Sequence, residues 1–319
     1  MEDDSREEIH AAAAADDEVR EILRRLGEQR ASISPKYFYD RLGSALFTAI
    51  CETPEYYPTR TEAVILPVAA AAVRERLGRG TTLVDLGAGD CRKADAILPV
   101  LDCSRYVAID ISIGFVRDAL AAISSRHPGV ETTALGRVLA RDWTLGSEDA
   151  PGRRLLFYPG SSIGNFTPEF AAAFLRRARA NAGAGGALLI GVDLVKDRAV
   201  LEAAYDDRLG VTAAFNRNVL NHLNRIAGTD FDPLRWRHVA FFNEELSRIE
   251  MHLEACEEHW VAWPSGRRHF DAGERIHTEN SCKYTPGRFA GLLAQAGWRV
   301  SGRWFDENQW FAVFLADAA

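Results

Sequence analysis

The stretch Thr81 to Leu98, TTLVDLGAGDCRKADAIL, limits the fold more than any other part of this chain. Leu83-Val84-Asp85-Leu86 is a short apolar run of strand type, Gly87-Ala88-Gly89 breaks it, and Ala94, Ile97 and Leu98 then recur at helical spacing. Strand, glycine turn and helix in that order build the ligand crevice of an open α/β sheet, at the carboxyl ends of its strands. Gly87 and Gly89 permit a tight turn and put no side chain between backbone and ligand. The third glycine of the dinucleotide fingerprint is absent, and the stretch is not a Walker A loop. A second apolar run, Tyr106 to Ile111, carries Asp110 at its end, 25 residues beyond Asp85 and near the spacing at which an acid reaches a ribose hydroxyl. These residues alone leave three readings open: a methyl donor, a dinucleotide, or a plain turn with an exposed acid.

The same alternation continues. Phe115 to Ser125 reads as a helix, Gly136 to Trp143 as the end of a third strand with Asp142 at the crevice, and Arg154 to Gly160 as a fourth strand. Ser161 to Phe166 is its crevice loop, and Thr167-Pro168-Glu169 opens a helix with proline in its first turn. The fifth strand is Ala187 to Val192, and the five α/β steps predict a doubly wound sheet. The rhythm stops over 197–285, where a helical region (Ala199 to Arg225) precedes strand-like pieces at Trp236–Phe242, Arg248–Cys256, His259–Trp263 and Glu274–Tyr284. From Pro286 it resumes, with a helix and the strands Trp298–Phe305 and Trp310–Leu315. An insertion before the last helix and two strands makes the sheet domain discontinuous.

Ahead of the sheet, Asp16 to Glu28 reads as a peripheral helix behind a charged tail. Phe38, Leu42, Leu46, Phe47 and Ile50 fit an amphipathic helix broken near Gly43, followed by a loop Tyr56 to Arg60. Ala63 to Leu77 reads as a helix that Pro67 breaks or kinks and Gly78 ends.

Charge and composition remove several function classes. A chain of 319 residues with net charge −7 carries no basic stripe for a polyanion, so nucleic acid is not an expected partner. No segment approaches the roughly 20 apolar residues that span a bilayer, and MEDDSREEIH is not a signal peptide. The expected setting is cytoplasmic, without membrane, and the expected state a monomer. Five scattered cysteines without C-x-x-C, and eight histidines without H-E-x-x-H, predict neither a disulfide framework nor a catalytic metal.

Six separated stretches, EYYPTRTE (55–62), SIGNF (162–166), GVDLVKD (191–197), AYDD (204–207), RIEMHL (248–253) and IHTENSCKYT (276–285), occur in order along the chain. Together they resemble the histidine-specific S-adenosylmethionine-dependent methyltransferases, the ergothioneine-pathway enzymes that make trimethylhistidine (hercynine). The resemblance runs from about Tyr37 to the carboxyl terminus. It implies a class I (Rossmann-like) α/β methyltransferase sheet over 61–196 and 286–319. A second, α+β substrate-binding domain would take 30–60 and 197–285, after an amino-terminal tail and helix over 1–29.

The resemblance also implies roles for particular residues. Gly87, Gly89, Lys93, Asp110, Asp142 and Trp143 would hold S-adenosyl-L-methionine as co-substrate, with no metal, and Gly160 would lie in the loop shared with the substrate, L-histidine. Tyr56, Asn165 and Tyr205 would surround the amino acid's carboxylate and α-amino group, with Asn165 and Tyr39 orienting the reacting amine and Phe47 closing over it. Glu279 and Ser281 would hold the imidazole, and Met251 would line that pocket. Family members can have another aromatic in place of Trp143, and a β-branched residue in place of Asn280. The implied rivals are a methyltransferase of this fold acting on a tryptophan or tyrosine derivative, and a non-catalytic donor-binding relative.

Overall fold

The structure, a computed structural model, describes residues 16–139 and 143–318. Asp142 therefore lies outside the described residues. The chain divides into two compact units. One comprises the residues up to Tyr56 with Asp197–Asn280, the other Tyr57–Lys196 with Ser281–Ala319. The boundaries fall at 56/57 and 280/281, so Ser281, expected with the insertion, belongs to the sheet unit.

In chain order the strands are β1 (Thr82–Leu86), β2 (Arg105–Asp110), β3 (Glu131–Gly136), β4 (Arg154–Tyr158) and β5 (Ala187–Asp193). The insertion then supplies β6 (Trp236–Asn243), β7 (Arg248–Ala255), β8 (His259–Trp263), β9 (Gly266–Phe270) and β10 (Arg275–Cys282), before β11 (Trp298–Phe305) and β12 (Phe311–Ala318) close the chain. The helices are α1 over 16–27, α2 (Arg41–Cys51), α3 (Tyr57–Leu77), α4 (Arg92–Leu101), α5 (Ile113–Arg126), α6 (Pro168–Ala182), α7 (Arg198–Ala203), α8 (Val211–Ala227) and α9 (Pro286–Gln295).

The sheet unit is a seven-stranded sheet in the order β11-β12-β5-β4-β1-β2-β3. β3-β2-β1-β4-β5 are parallel, and β12 and β11 add antiparallel pairs at the β5 side. β1 and β5 are buried along their whole length, as central strands covered on both faces must be. On one face α3 buries Ile65, Leu66, Ala69, Ala70 and Val73 with Leu83 and Leu155. On the other, α6 buries Ala171, Phe174, Leu175 and Ala178 with Val84 and Leu156. Both sets follow the 3.6-residue stripe that an amphipathic helix presents to a core. The strand order reverses between β1 and β4, so the loops after those two strands flank the crevice where ligands of such sheets bind.

The other unit contains the sheet β10-β7-β6 and the hairpin β8-β9. α8 contributes Phe215, Val219, Leu220 and Leu223 to its buried residues. Asp207 accepts from the backbone N–H groups of Val211 and Thr212 (3.0 and 2.7 Å) and so starts α8.

Several sequence expectations are corrected. The expected loop Tyr56–Arg60 and the break at Pro67 are replaced by one helix, α3, that begins at Tyr57. Pro58 sits in the first turn, where its missing N–H costs nothing, and Pro67 lies on the exposed side, where solvent reaches the freed carbonyl. Gly43 does not break α2 but lies inside its first turn, where the Asp40 carboxylate accepts from its N–H at 2.7 Å. A Cβ there would lie 1.7 Å from the Phe38 carbonyl oxygen, so close backbone approach requires the glycine. The third strand is Glu131–Gly136 and ends where the expected stretch begins, the rest of which falls partly outside the described residues; at the sheet edge its polar Thr132 and Thr133 suffice, and no apolar run marks it. The helical region after 197 is two helices, split by a connection that contains Tyr205 and Asp207 and ends at Gly210 (φ 74°). The expected peripheral helix buries Ile22 and Leu26. β9, GRRHF, was not expected, because its polar residues hide the alternation. Among the described residues, no helix is long and apolar enough to cross a membrane.

Candidate active site

At the end of β1, Gly87 and Gly89 take positive φ (76° and 53°), a conformation that glycine adopts without strain. The N–H groups of Gly87 and Ala88 donate to the Ile109 carbonyl at 2.8 and 3.1 Å, which ties the turn to β2. Asp110 ends β2 and clamps the same turn. One carboxylate oxygen accepts from Gly89 N–H at 3.0 Å, the other from Ser112 N–H at 2.9 Å. A Cβ at Gly89 would meet nothing within 4 Å, so the space beside the turn is open. Gly87, Gly89 and Asp110 are thus brought together.

Lys93, in the first turn of α4, is joined to Gly160 through a residue that sequence reasoning missed. Glu62 is fully buried; it pairs with Lys93 Nζ at 2.7 Å and accepts from Gly160 N–H at 2.9 and 3.0 Å. Gly160 has φ 78°, and a Cβ on it would lie 2.8 Å from Lys93 Nζ. Glu62 thereby couples the loop after β4 to the helix after β1. Its signal in the sequence was an acid in register with Ile65, Leu66, Ala69, Ala70 and Val73 on one helix face, visible only once α3 is started at Tyr57.

Trp143 packs with Leu145, Ile163 and Phe174, and its indole N–H has no acceptor among the described residues. Asn165 ends the 3-10 turn Ser162–Asn165 after β4 and is half-buried. That loop packs tightly on the β10 end: a Cβ at Gly164 would lie 2.9 Å from the Cys282 carbonyl oxygen. Ser281, buried in the same segment, accepts from Lys283 Nζ at 2.8 Å.

The other unit gathers the expected aromatics. Ring centroids of Tyr39 and Phe47 lie 5.8 Å apart, those of Phe47 and Tyr56 6.1 Å, and those of Tyr56 and Tyr205 6.3 Å. Phe215 on α8 was not among the expected residues; it joins Tyr39 at 5.9 Å and Phe47 at 6.1 Å, in offset and edge contacts of the kind aromatics favour. Burial pushes the Tyr56 phenol well above its ordinary range, and Tyr205 and Glu279 add to this. Tyr56 is therefore a neutral hydrogen-bond donor. Met251 is buried on β7, and its carbonyl accepts from the Thr278 hydroxyl at 3.0 Å. Glu279 is buried at 9% exposure, two residues before Ser281 on β10.

Three residues outside this set could hold a metal ion. Ligand atoms of Glu250, His252 and His277 lie within 4.8 Å of one another. Burial, then His277, pushes the His252 imidazole down to about 4, so it stays neutral. The Glu250 carboxylate is already engaged by Arg248 at 2.7 Å and by Asn243 at 3.0 Å, and His277 pairs with Asn280 at 2.9 Å. His252 itself pairs with Glu250 at 3.1 Å.

The profile of a family described as histidine-specific, SAM-dependent methyltransferases matches residues 17–318. A histidine N-alpha-methyltransferase of Mycolicibacterium smegmatis is 41% identical, over 97% of this chain and 97% of its own length. Another, of Mycobacterium tuberculosis, is 40% identical, over 93% of this chain and 94% of its own. Ergothioneine biosynthesis protein 1 of Neurospora crassa is 30% identical over 87% of this chain, which spans 32% of that longer protein. The chain belongs to the histidine-specific, S-adenosylmethionine-dependent methyltransferase family.

Proposed function

We propose that the protein converts L-histidine to Nα,Nα,Nα-trimethylhistidine by three successive methyl transfers from S-adenosylmethionine to the α-amine. The observation that carries the substrate is the pair on β10: Glu279, a buried carboxylate, and Ser281, a buried hydroxyl, at the two-residue spacing that shares a strand face. A carboxylate accepts an imidazole N–H and a hydroxyl serves the other ring nitrogen. Groups so buried reject side chains that would leave them unpaired.

The donor supplies an electrophilic methyl on a sulfonium; as the N–C bond forms, the S–C bond breaks and its electron pair stays on sulfur. The protein's task is then positional, holding an amine lone pair in line with that methyl. Gly87 and Gly89 allow close approach of backbone, Asp110 would accept from the ribose hydroxyls, and Lys93, fixed by Glu62, would meet the donor's carboxylate. Neutral Tyr56 would donate to the histidine carboxylate, with Tyr205 beside it. Asn165 and Tyr39 would orient the amine, which must be deprotonated before each attack, and Phe47 would exclude water. Met251 would line the ring pocket. On this reading the sheet unit binds the donor, the unit that includes 197–280 contributes to substrate binding, and the protein acts as a monomer in the cytoplasm without a metal. Asp142 and Trp143 would serve the donor, as the resemblance implies.

The test is mass spectrometry of the protein incubated with donor and each common amino acid. Mono-, di- and trimethylated histidine, with other amino acids untouched, is the expected result. Glu279→Ala should lower kcat/KM for histidine by roughly a hundredfold, the value of one hydrogen bond to a buried charge. Methylation of a tryptophan or tyrosine derivative instead would overturn the imidazole assignment. Donor binding without any product would leave a non-catalytic relative.

A further inference from the structure

Tyr205 lies in the connection between α7 and α8, and its backbone carbonyl meets a side chain of the neighbouring sheet. His238 Nε2, on β6, lies 2.8 Å from that carbonyl oxygen. On its other side, His238 Nδ1 lies 2.8 Å from the amide nitrogen of Asn216 on α8. Asn216 is fully buried, and the same amide nitrogen donates to the His252 carbonyl on β7 at 3.0 Å. All four residues belong to one compact unit.

These partners fix the imidazole's protons. A carbonyl only accepts, so Nε2 carries a hydrogen. Turned around, the Asn216 amide would set its oxygen against the His252 carbonyl oxygen, so its NH2 group faces His238. An NH2 group only donates, so Nδ1 presents a lone pair. A ring nitrogen holds either a hydrogen or a lone pair, never both. His238 is therefore the neutral Nε2–H tautomer, and imidazolium would set an N–H against the Asn216 NH2. Burial keeps the ring below its ordinary range and Arg217 acts in the same direction, outweighing the Tyr205 carbonyl, Asp206 and Asp207.

α8 thus reaches the aromatic group in two ways. Phe215 packs on Tyr39 and Phe47 directly. Asn216, the next residue, acts through His238 on Tyr205, whose ring meets Tyr56 at 6.3 Å.

We propose that His238 is a positioning residue: locked as a hydrogen-bond donor by Asn216, it holds Tyr205 in place for the amino acid substrate. The proposal rests on the reading of Tyr205 as a substrate contact.

The test is steady-state kinetics of the full chain and its variants His238→Leu, His238→Gln and Tyr205→Phe, with nitrogen-15 spectra of the histidine-labelled wild type. His238→Leu removes the donor, and KM for histidine should rise about tenfold, near the value of one hydrogen bond, with kcat and the donor KM unchanged. The Gln amide can offer an N–H to Tyr205 and an oxygen to Asn216, so His238→Gln should return KM towards that of the wild type. At pH 6.5, where an ordinary imidazole is half protonated, the wild-type His238 signals, identified by their loss in His238→Gln, should show a bare Nδ1 and a protonated Nε2. Should His238→Leu not fold, Asn216→Leu, which unlocks the ring, should raise KM for histidine in its place. A protonated Nδ1, or an unchanged KM in these leucine variants while Tyr205→Phe raises it, overturns the proposal. An unchanged KM in Tyr205→Phe overturns instead the reading of Tyr205 on which it stands.

Discussion

Asp85 offers a sharp test of the physical picture of the sheet unit. It lies in β1, one strand position before Leu86, with its carboxylate in the core of the strand layer. Tyr106 donates to one oxygen at 2.8 Å, and the other has no partner among the described residues. Burial raises this carboxyl from 3.8 to about 7. In the unfolded chain Asp85 is ionised above pH 4, whereas in the native state it keeps its proton until about pH 7. Between those values the native state holds the extra proton, so the stability this residue allows falls as pH rises, and levels off above pH 7. The full loss is roughly 4 kcal/mol, of which roughly 2–3 kcal/mol accrues between pH 5 and pH 8. Asp85→Asn keeps the acceptor for Tyr106 and removes the titration. Its amide is left as poorly paired as the oxygen it replaces, a pH-independent cost of about 1–3 kcal/mol, so the diagnostic is the pH trend rather than the absolute difference. Urea unfolding of both proteins at pH 5 and pH 8 measures it, because other titrating groups cancel between parent and variant. The variant should gain roughly 2–3 kcal/mol relative to the parent from pH 5 to pH 8. A constant difference, or one of opposite trend, would refute the argument that this acid is buried and destabilised by its charge.

Three further outcomes follow from the geometry. Glu62→Gln keeps an acceptor for Gly160 but loses the pair with Lys93, which is 31% exposed and partly solvated; stability should fall by about 1–2 kcal/mol and KM for the donor should rise, whereas an unchanged donor KM would detach Lys93 from the donor. Gly43→Ala forces a Cβ to within 1.7 Å of the Phe38 carbonyl, and thermal melting should show roughly 3 kcal/mol of destabilisation; an unshifted melt would contradict the close approach. Tyr56→Phe removes a neutral donor with little change of shape, so KM for histidine should rise about tenfold, near the value of one hydrogen bond, with kcat nearly unchanged.

The sheet was legible in the sequence where physics makes its pattern loud. Central strands buried on both faces must be continuous apolar runs, and β1, β2, β4 and β5 are such runs, the first three each followed by a helical stripe. Edge strands and hairpins carry no such demand. Thr132 and Thr133 in β3, and Arg267 and Arg268 in β9, hide their elements in polar residues; Arg267 stacks over Trp260 and Arg268 over Phe270, contacts that a period-two pattern does not reveal. The site was legible in part for the same kind of reason. A glycine turn with an acid at the next strand end is a local pattern, and the structure joins them through the Gly89–Asp110 hydrogen bond. Glu62 and Lys283 act across long separations in sequence, and only the folded chain brings them to Lys93 and Asp193.

The central claim is that methyl groups accumulate on the α-amine while the imidazole is only read. Tandem mass spectrometry of the product made from L-histidine and the methyl donor tests it most directly. The account predicts a product three methyl groups heavier than histidine that loses trimethylamine on fragmentation and leaves an unmodified imidazole fragment. A methyl group retained on the ring fragment, or no change in the mass of histidine, would contradict it.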